Sequence, residues 1–313
     1  MKKFFEILRA FFSSVPGKGL SSCVLLLSSF FAVFSATPAI STYVSEGRLK
    51  GFLVLLIGAV LCFVIGGVPA GSVYLFIILF SSVILSELIR ANMSLGKIII
   101  FSSLIIVGAY SIFFMVYANL HSQTIMDFLI SKVNEAIAFM NTSYPDVIKQ
   151  TLIETGMSEK EFASSIAIRF PGVMVVVIVV FLFVNTMMIA KNDEKLSSFL
   201  KFDNLMSFKM PEYFVWIALV FGSVYLYSTT QYNSSSLVEM AGLFLFKWVM
   251  AIYFLYGIMI AYTVISIKIP QGFFRALLFS VIIVFAYIAV AGLGFFDTWF
   301  DIRKYLNKKG EEI

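Results

Sequence analysis

The residues of this chain that could do chemistry are few, and they lie within long apolar segments. Lys247 and Glu239 fall inside one such segment, Glu87 lies near the end of another, and Asn185 lies within a third. A charged side chain is costly in hydrocarbon, so Lys247 and Glu239 are candidates for ligand binding. Lys247 could bind an anionic group, or it could extend along its methylene stem to the interface. Asn185 could contact a ligand or hydrogen-bond a neighbouring helix.

A second candidate is the stretch GLGFFDTWFDIRK at residues 292–304, where an apolar run ends in two aspartates and a basic tail. Asp297 and Asp301 are four residues apart and would share one helical face, and Arg303 follows them. Exposed carboxylates beside basic residues are more often a salt-bridged helix end than an acid–base pair. Aromatic residues followed by basic ones are typical of a membrane interface. We therefore interpret this stretch as an anchor.

Motifs for catalysis, metal binding and nucleotide binding are absent from the sequence. His121 is the one histidine, and no cysteine or carboxylate cluster accompanies it, so no metal site is predicted. The sequence has no GxxxxGK[ST], HExxH or GxSxG motif. No basic run with interleaved aromatic residues suggests nucleic acid. We expect no enzyme activity and no cofactor, and ATP coupling would need a partner protein.

The composition is that of a membrane protein. Hydrophobic residues make up 60% of the chain, the mean hydropathy is +0.96, and 13% of residues are charged, against about 25% in soluble domains. An apolar run of about 18 residues or more can cross the bilayer as a helix. The sequence predicts an all-α, polytopic helical membrane protein with about eight hydrophobic spans, at residues 20–40, 51–67, 71–89, 97–118, 171–190, 213–230, 237–267 and 273–296.

The predicted organisation has five parts: an amphipathic N-terminal segment (1–19), spans 1–4 (20–118), a polar helical insertion (119–170), spans 5–8 (171–296) and a basic C-terminal tail (297–313). The insertion is expected to form three short amphipathic helices, broken at Tyr144-Pro145 and Gly156. Ser158 and Glu161 have the spacing of a capping box. These helices would form a small cap, either a solvated element on the membrane surface or a gate over a cavity.

The distribution of basic residues leaves the orientation open. Four short loops carry 10 lysines and arginines and the two tails carry 8, so the positive-inside rule gives nearly equal weight to both orientations. We expect a multi-pass protein of the bacterial cytoplasmic membrane with cytoplasmic termini. That arrangement requires one re-entrant or broken segment in each half.

Three stretches resemble the YybS-like family of bacterial membrane proteins: GLGFFDTWFDIRK, MPEYFVW at 210–216 and FLYG at 254–257. In that family a last span ends in Gly-x-x-Asp and continues into an acidic-Arg-Lys segment. The family is similar to the S components of energy-coupling-factor transporters, which capture a small molecule and depend on separate ATPases. S components meet their coupling subunit through an Ala-x-x-x-Ala face on the first span. The resemblance implies that role for Ala32 and Ala36, although such faces also serve ordinary helix packing.

Two functions follow from these features. In the first, the protein transports or captures a small molecule, Lys247 or Glu239 contacts that ligand, the 119–170 insertion gates it, and partner ATPases drive it. In the second, the protein is a non-catalytic scaffold or assembly factor whose small-residue faces bind other membrane proteins.

Overall fold

The computed structural model describes residues 10–28, 31–192, 210–230, 236–270, 272–300 and 302. All regular secondary structure in these ranges is helical. A short 3-10 turn (Ala32–Phe34) and a π-helical segment (Tyr74–Leu79) accompany the α-helices. In chain order these are α1 (Val15–Leu27), α2 (Thr37–Ser45), α3 (Arg48–Val73), α4 (Phe80–Arg90), α5 (Leu95–Leu120), α6 (Ile125–Ser143), α7 (Pro145–Thr155), α8 (Glu159–Asn192), α9 (Tyr213–Thr230), α10 (Ser236–Lys268), α11 (Phe273–Phe285) and α12 (Tyr287–Phe300).

Among the described residues, five helical segments are long and apolar enough to cross a membrane: Arg48–Arg90, Leu95–Leu120, Glu159–Ala190, Tyr213–Thr230 and Leu237–Ser266. Helices α11 and α12 are bent by 89° where they meet, and they add a sixth span if they are counted together. The all-helical membrane fold is therefore as predicted, whereas eight crossings stay a prediction. The predicted span 273–296 contains this bend.

The first predicted span, 20–40, is not one helix. Helix α1 ends at Leu27, the 3-10 turn follows, and α2 begins at Thr37. Pro38 lies in the first turn of α2, where its missing N–H leaves no helical hydrogen bond unmade. Because a proline disrupts the interior of a helix but is tolerated in its first turn, the apolar run 20–40 is divided here although it is long enough for one span.

The long segment Arg48–Arg90 reverses direction at Gly67. Gly67 has φ of 72° and ψ of −172°, a backbone conformation that favours glycine. Beyond it, Tyr74 packs so closely on Gly58 that a Cβ on Gly58 would overlap the Tyr74 hydroxyl. These residues would lie about 24 Å apart in a continuous helix. The two arms of the segment therefore run antiparallel, and they correspond to the separately predicted apolar segments 51–67 and 71–89.

The described residues fall into two compact units. The first comprises the described residues within 1–106 and 178–209, and the second comprises those within 107–177 and 210–313. In the first unit, α1 and α2 pack on α3, and α2 also packs on α4. Its core is a set of large, fully buried side chains that includes Ile40, Leu55, Tyr74 and Leu85.

In the second unit, α10 packs against both α9 and α12. The polar insertion belongs to the same unit. Helix α6 ends at Ser143, α7 begins at Pro145, and Gly156 ends α7 with a φ of 65°, so both predicted breaks are confirmed. The capping box is also present, because the Ser158 N–H donates to Glu161 Oε2 at 2.9 Å and the Glu161 N–H donates to Ser158 Oγ at 3.4 Å.

The sequence predicts a short third helix in the insertion, and this prediction is wrong. Helix α8 starts at Glu159 and continues through Pro171 to Asn192. An internal proline is tolerated in such a helix when neighbouring groups satisfy the freed backbone. Two apolar clusters join the insertion to this helix; they contain Ala118, Met126, Phe128, Leu129 and Ala167 in one and Ile137, Ile148 and Ala163 in the other.

Candidate functional site

Helices α10 and α12 touch through their backbones where they cross. A Cβ on Gly257 would lie 2.7 Å from the carbonyl carbon of Val290, and a Cβ on Gly294 would lie 2.8 Å from the Gly257 nitrogen. Neither position has space for a side chain. Glycine at both positions therefore allows the helices to approach closely, as small residues do in membrane helix pairs.

A chain of buried hydrogen bonds lies beside this crossing. The Tyr256 hydroxyl donates to Asp297 Oδ2 at 2.9 Å, and the backbone N–H of Met210 donates to the Tyr256 oxygen at 3.4 Å. Asp297 is 1% exposed. Met210, Tyr256 and Asp297, which come from the separate stretches 210–216, 254–257 and 292–304, thus meet at one place in the second unit.

The expectation that Asp297 is an exposed carboxylate at a helix end is wrong. Gly294 lies three residues earlier on α12, so both residues lie on the helix face that meets α10. The backbone contact at Gly294 brings Asp297 within hydrogen-bonding distance of Tyr256. The other two residues of the C-terminal motif, Asp301 and Arg303, lie outside the described residues.

Lys247 lies on α10, ten residues before Gly257. It lines a cleft of about 460 Å³ together with Val176, Phe246, Met250, Ala251, Phe254, Tyr287, Ile288 and Ala291. Its stem lies over Gly172, since a Cβ on Gly172 would be 3.3 Å from Lys247 Cγ. No carboxylate belongs to the described lining of this cleft. The cleft is thus an apolar site with one cationic side chain in its wall.

A second cleft of about 370 Å³ lies between α9, α10 and α12. Its lining is almost entirely apolar and consists of Ala218, Leu219, Gly222, Ser223, Leu226, Phe246, Val249, Met250, Tyr253, Ile288, Ala291, Gly292 and Phe295. Phe246, Met250, Ile288 and Ala291 line both clefts. The two clefts are therefore neighbours that share one wall.

The structure does not bring Glu239 to these clefts. Glu239 is half-buried in the first turn of α10 and precedes Lys247 by eight residues, which is about 12 Å along the helix. It is absent from the lining of both clefts. Lys247 is therefore the candidate ligand-binding residue that the cleft geometry supports.

Asn185 belongs to the first unit, where its amide joins two parts of the chain. Its Nδ2 donates to the carbonyl oxygens of Val33 at 2.7 Å and Phe181 at 2.8 Å, and its Oδ1 accepts from Thr37 Oγ1 at 2.8 Å. Val33 lies in the 3-10 turn and Thr37 begins α2. Asn185 thus stabilises the break between α1 and α2, which is the helix-binding alternative that its sequence position allowed.

Ala32 and Ala36 do not form one helical face. Ala32 begins the 3-10 turn, and Ala36 is the buried residue that precedes α2. The chain leaves the helical path after Leu27 and resumes it near Pro38, so the four-residue spacing does not place the two alanines on the same side of a helix. A partner face of the S-component type is not present at these residues.

The first unit contains an ion network that the sequence analysis did not predict. Arg48 donates from Nε to Glu87 Oε1 and from Nη2 to Glu87 Oε2, both at 2.7 Å, and the Tyr43 hydroxyl donates to Oε1 at 2.6 Å. Arg90 donates to the Tyr43 carbonyl at 3.3 Å. The network connects the end of α2 with the start of α3 and the end of α4. Its one sequence signal was a glutamate near the end of an apolar segment.

Comparison with models of protein families finds a match over most of the chain. The model of the family described as predicted membrane protein (DUF2232) matches residues 20–298. The chain belongs to the DUF2232 family. No curated protein and no solved structure matches this DUF2232 chain. The matched range includes the α10–α12 crossing, Lys247 and Asp297 but ends before Asp301 and Arg303.

Proposed function

We propose that this protein captures a small molecule that has an apolar body and an anionic group, as a step in its transport across the bacterial cytoplasmic membrane. Lys247 in the wall of an otherwise apolar cleft is the observation that carries the proposal. A cleft of about 460 Å³ is within the 300–1,000 Å³ typical of small-molecule sites. An anionic group of the ligand would supply the counter-charge that the described lining lacks.

The proposal includes partners. The sequence has no phosphate-binding loop, so energy for transport would come from separate ATPase or coupling subunits, as in the S components of energy-coupling-factor transporters. Helices α6 and α7 would gate access to the ligand. In this scheme the chain binds the ligand, and its partners supply the energy for transport.

The test is mild-detergent purification of the full chain followed by mass spectrometry of bound small molecules and co-purifying proteins. We expect a stoichiometric ligand that is lost from Lys247→Met, which keeps the length of the side chain and removes its charge. Lys149→Met is the matched control, because Lys149 is an exposed lysine on α7 that lines neither cleft. Full retention of the ligand by Lys247→Met would overturn the assignment of the binding site.

The same experiment evaluates the alternative function. A protein partner that co-purifies reproducibly with wild type and with Lys247→Met, with no bound small molecule in either sample, would favour a scaffold or assembly factor. Lys247 would then be a lysine that extends along its stem to the interface.

A further inference from the structure

We infer that the captured molecule is an anionic lipid with two hydrocarbon chains, one in each of the two clefts of the second unit. This inference rests on the proposed function and names the chemical class of the ligand. The experiment below separates failure of the lipid class from failure of ligand capture itself.

The first argument is the arrangement of the clefts. A molecule with one chain needs one apolar groove, whereas this unit has two grooves of about 460 and 370 Å³ that meet along a common wall. On α10 the wall is formed by Phe246 and Met250, which are one helical turn apart. A two-chain lipid that straddles these residues would fill both grooves while its chains remain joined at one head.

The second argument is charge. Lys247 follows Phe246 directly, so the one charged side chain among the described cleft residues lies beside the wall where the two chains would join. A phosphate or carboxylate head group at that point would meet the ammonium group. The rest of the lining is apolar apart from the Ser223, Tyr253 and Tyr287 hydroxyl groups, as hydrocarbon chains require.

The third argument is depth. The segment Leu237–Ser266 is long enough to cross the membrane, and Lys247 lies about 15 Å from its start at helical rise. The 30-residue segment is about 45 Å long, so when it is centred on a hydrocarbon core of about 30 Å, Lys247 lies about 7 Å inside that core, at the level of the acyl chains. A lipid whose head binds Lys247 has therefore left the ordinary headgroup position. Capture of this kind is what a protein that moves a lipid would have to do.

The test uses the full chain, stripped of endogenous lipid in nonionic detergent, and native mass spectrometry with three probes. The probes are phosphatidylglycerol (anionic, two chains), phosphatidylcholine (zwitterionic, two chains) and lysophosphatidylglycerol (anionic, one chain). We expect phosphatidylglycerol to bind at least about tenfold more tightly than either of the others, with one molecule per chain. Lys247→Met should lower its affinity about tenfold and leave phosphatidylcholine binding unchanged, because a loss of about tenfold is typical of one charge-assisted contact.

A second variant tests the smaller cleft alone. Gly222 lines this cleft, and a Cβ there would lie 3.8 Å from Phe246, so Gly222→Leu fills the space without a backbone clash. We expect Gly222→Leu to lose the preference for two chains but to keep lysophosphatidylglycerol binding, and that retained binding also shows that the variant is folded. Gly108→Leu is the matched control, since nothing lies within 4 Å of a Cβ at Gly108 and it lines neither cleft.

The outcomes are distinct. Equal affinity for the one-chain and two-chain anions, unchanged in Gly222→Leu, would overturn the two-chain lipid and leave ligand capture standing. Equal affinity for all three probes, unchanged in Lys247→Met, would show adventitious lipid only and would overturn the lipid class. A different metabolite, bound stoichiometrically through Lys247 in the purification from native membranes, would confirm capture while excluding a lipid.

Discussion

Gly294→Ala tests the backbone contact between α10 and α12. The new Cβ would lie 2.8 Å from the Gly257 nitrogen and closer still to the Tyr253 carbonyl oxygen, and ordinary contact needs about 3.5 Å. The helices must therefore separate by at least about 0.7 Å. The cost of such overpacking is typically about 1–3 kcal/mol. The Tyr256–Asp297 distance of 2.9 Å would lengthen beyond hydrogen-bonding range, which adds about 0.6–1.7 kcal/mol for a polar contact between membrane helices.

The assay is unfolding of the detergent-solubilised protein by increasing fractions of SDS, with Gly292→Ala as the matched control. Gly292 lies on the same helix, and nothing is within 4 Å of a Cβ there, so its substitution should be neutral or slightly stabilising. Asp297→Asn should cost less in the Gly294→Ala background than in wild type, because the contact is already weakened. Equal stability of Gly294→Ala and Gly292→Ala would refute the close crossing.

Three further predictions concern the first unit. Asn185→Leu removes two hydrogen bonds to the break between α1 and α2 and a third to Phe181 within α8, and it should destabilise the protein by about 2–4 kcal/mol in the same unfolding assay; a change below about 0.5 kcal/mol would contradict its bridging role. The buried Ser86 hydroxyl has no hydrogen-bond partner among the described residues, whereas that of Ser102 donates to a backbone carbonyl. Ser86→Ala should therefore be neutral or stabilising and Ser102→Ala should not; a loss of about 1 kcal/mol or more in Ser86→Ala would show that its hydroxyl is hydrated. A hydrogen bond from Lys18 holds the pKa of Glu46 in the folded protein below its usual 4.5. The ionised carboxylate therefore stabilises the fold by less than about 1 kcal/mol above pH 4.5, and this stabilisation is lost as the pH falls through the pKa of the folded protein. Glu46→Gln should remove this loss of stability in acid, and an unchanged dependence of stability on pH would refute the prediction.

Local signals in the sequence predicted the two breaks between helices in the polar insertion. Tyr144-Pro145 and Gly156 mark breaks because a proline starts a helix and a glycine adopts positive φ, and neither effect depends on distant residues. The break within the first predicted span was not foreseen for the opposite reason. Residues 28–36 are mostly apolar, and the group that satisfies the Val33 carbonyl is Asn185, which is 152 residues away. Hydropathy finds apolar runs but does not find such long-range partners.

For the candidate site, too, local features could be found from the sequence and long-range contacts could not. Lys247 could be found from the sequence because a charge within a long apolar run is unusual. The clefts could not be found, since their lining comes from α8, α9, α10 and α12 and depends on how these helices pack together. The burial of Asp297 likewise depends on Gly294, whose role is clear only once α10 is seen against it. The stretch GLGFFDTWFDIRK by itself gives no indication of that contact.

The crossing and the clefts are formed by the same two helices, which links stability to binding. At Gly257 and Gly294 the backbones of α10 and α12 touch, and Ile288 and Ala291, six and three residues before Gly294, line both clefts. Separating the helices at the crossing must shift these two residues relative to Phe246. We therefore expect Gly294→Ala to weaken ligand binding severalfold, although Gly294 lines neither cleft. Suppose instead that the variant is destabilised as predicted but keeps wild-type affinity, measured by native mass spectrometry below its unfolding transition. That result would show that the crossing only holds the helices together.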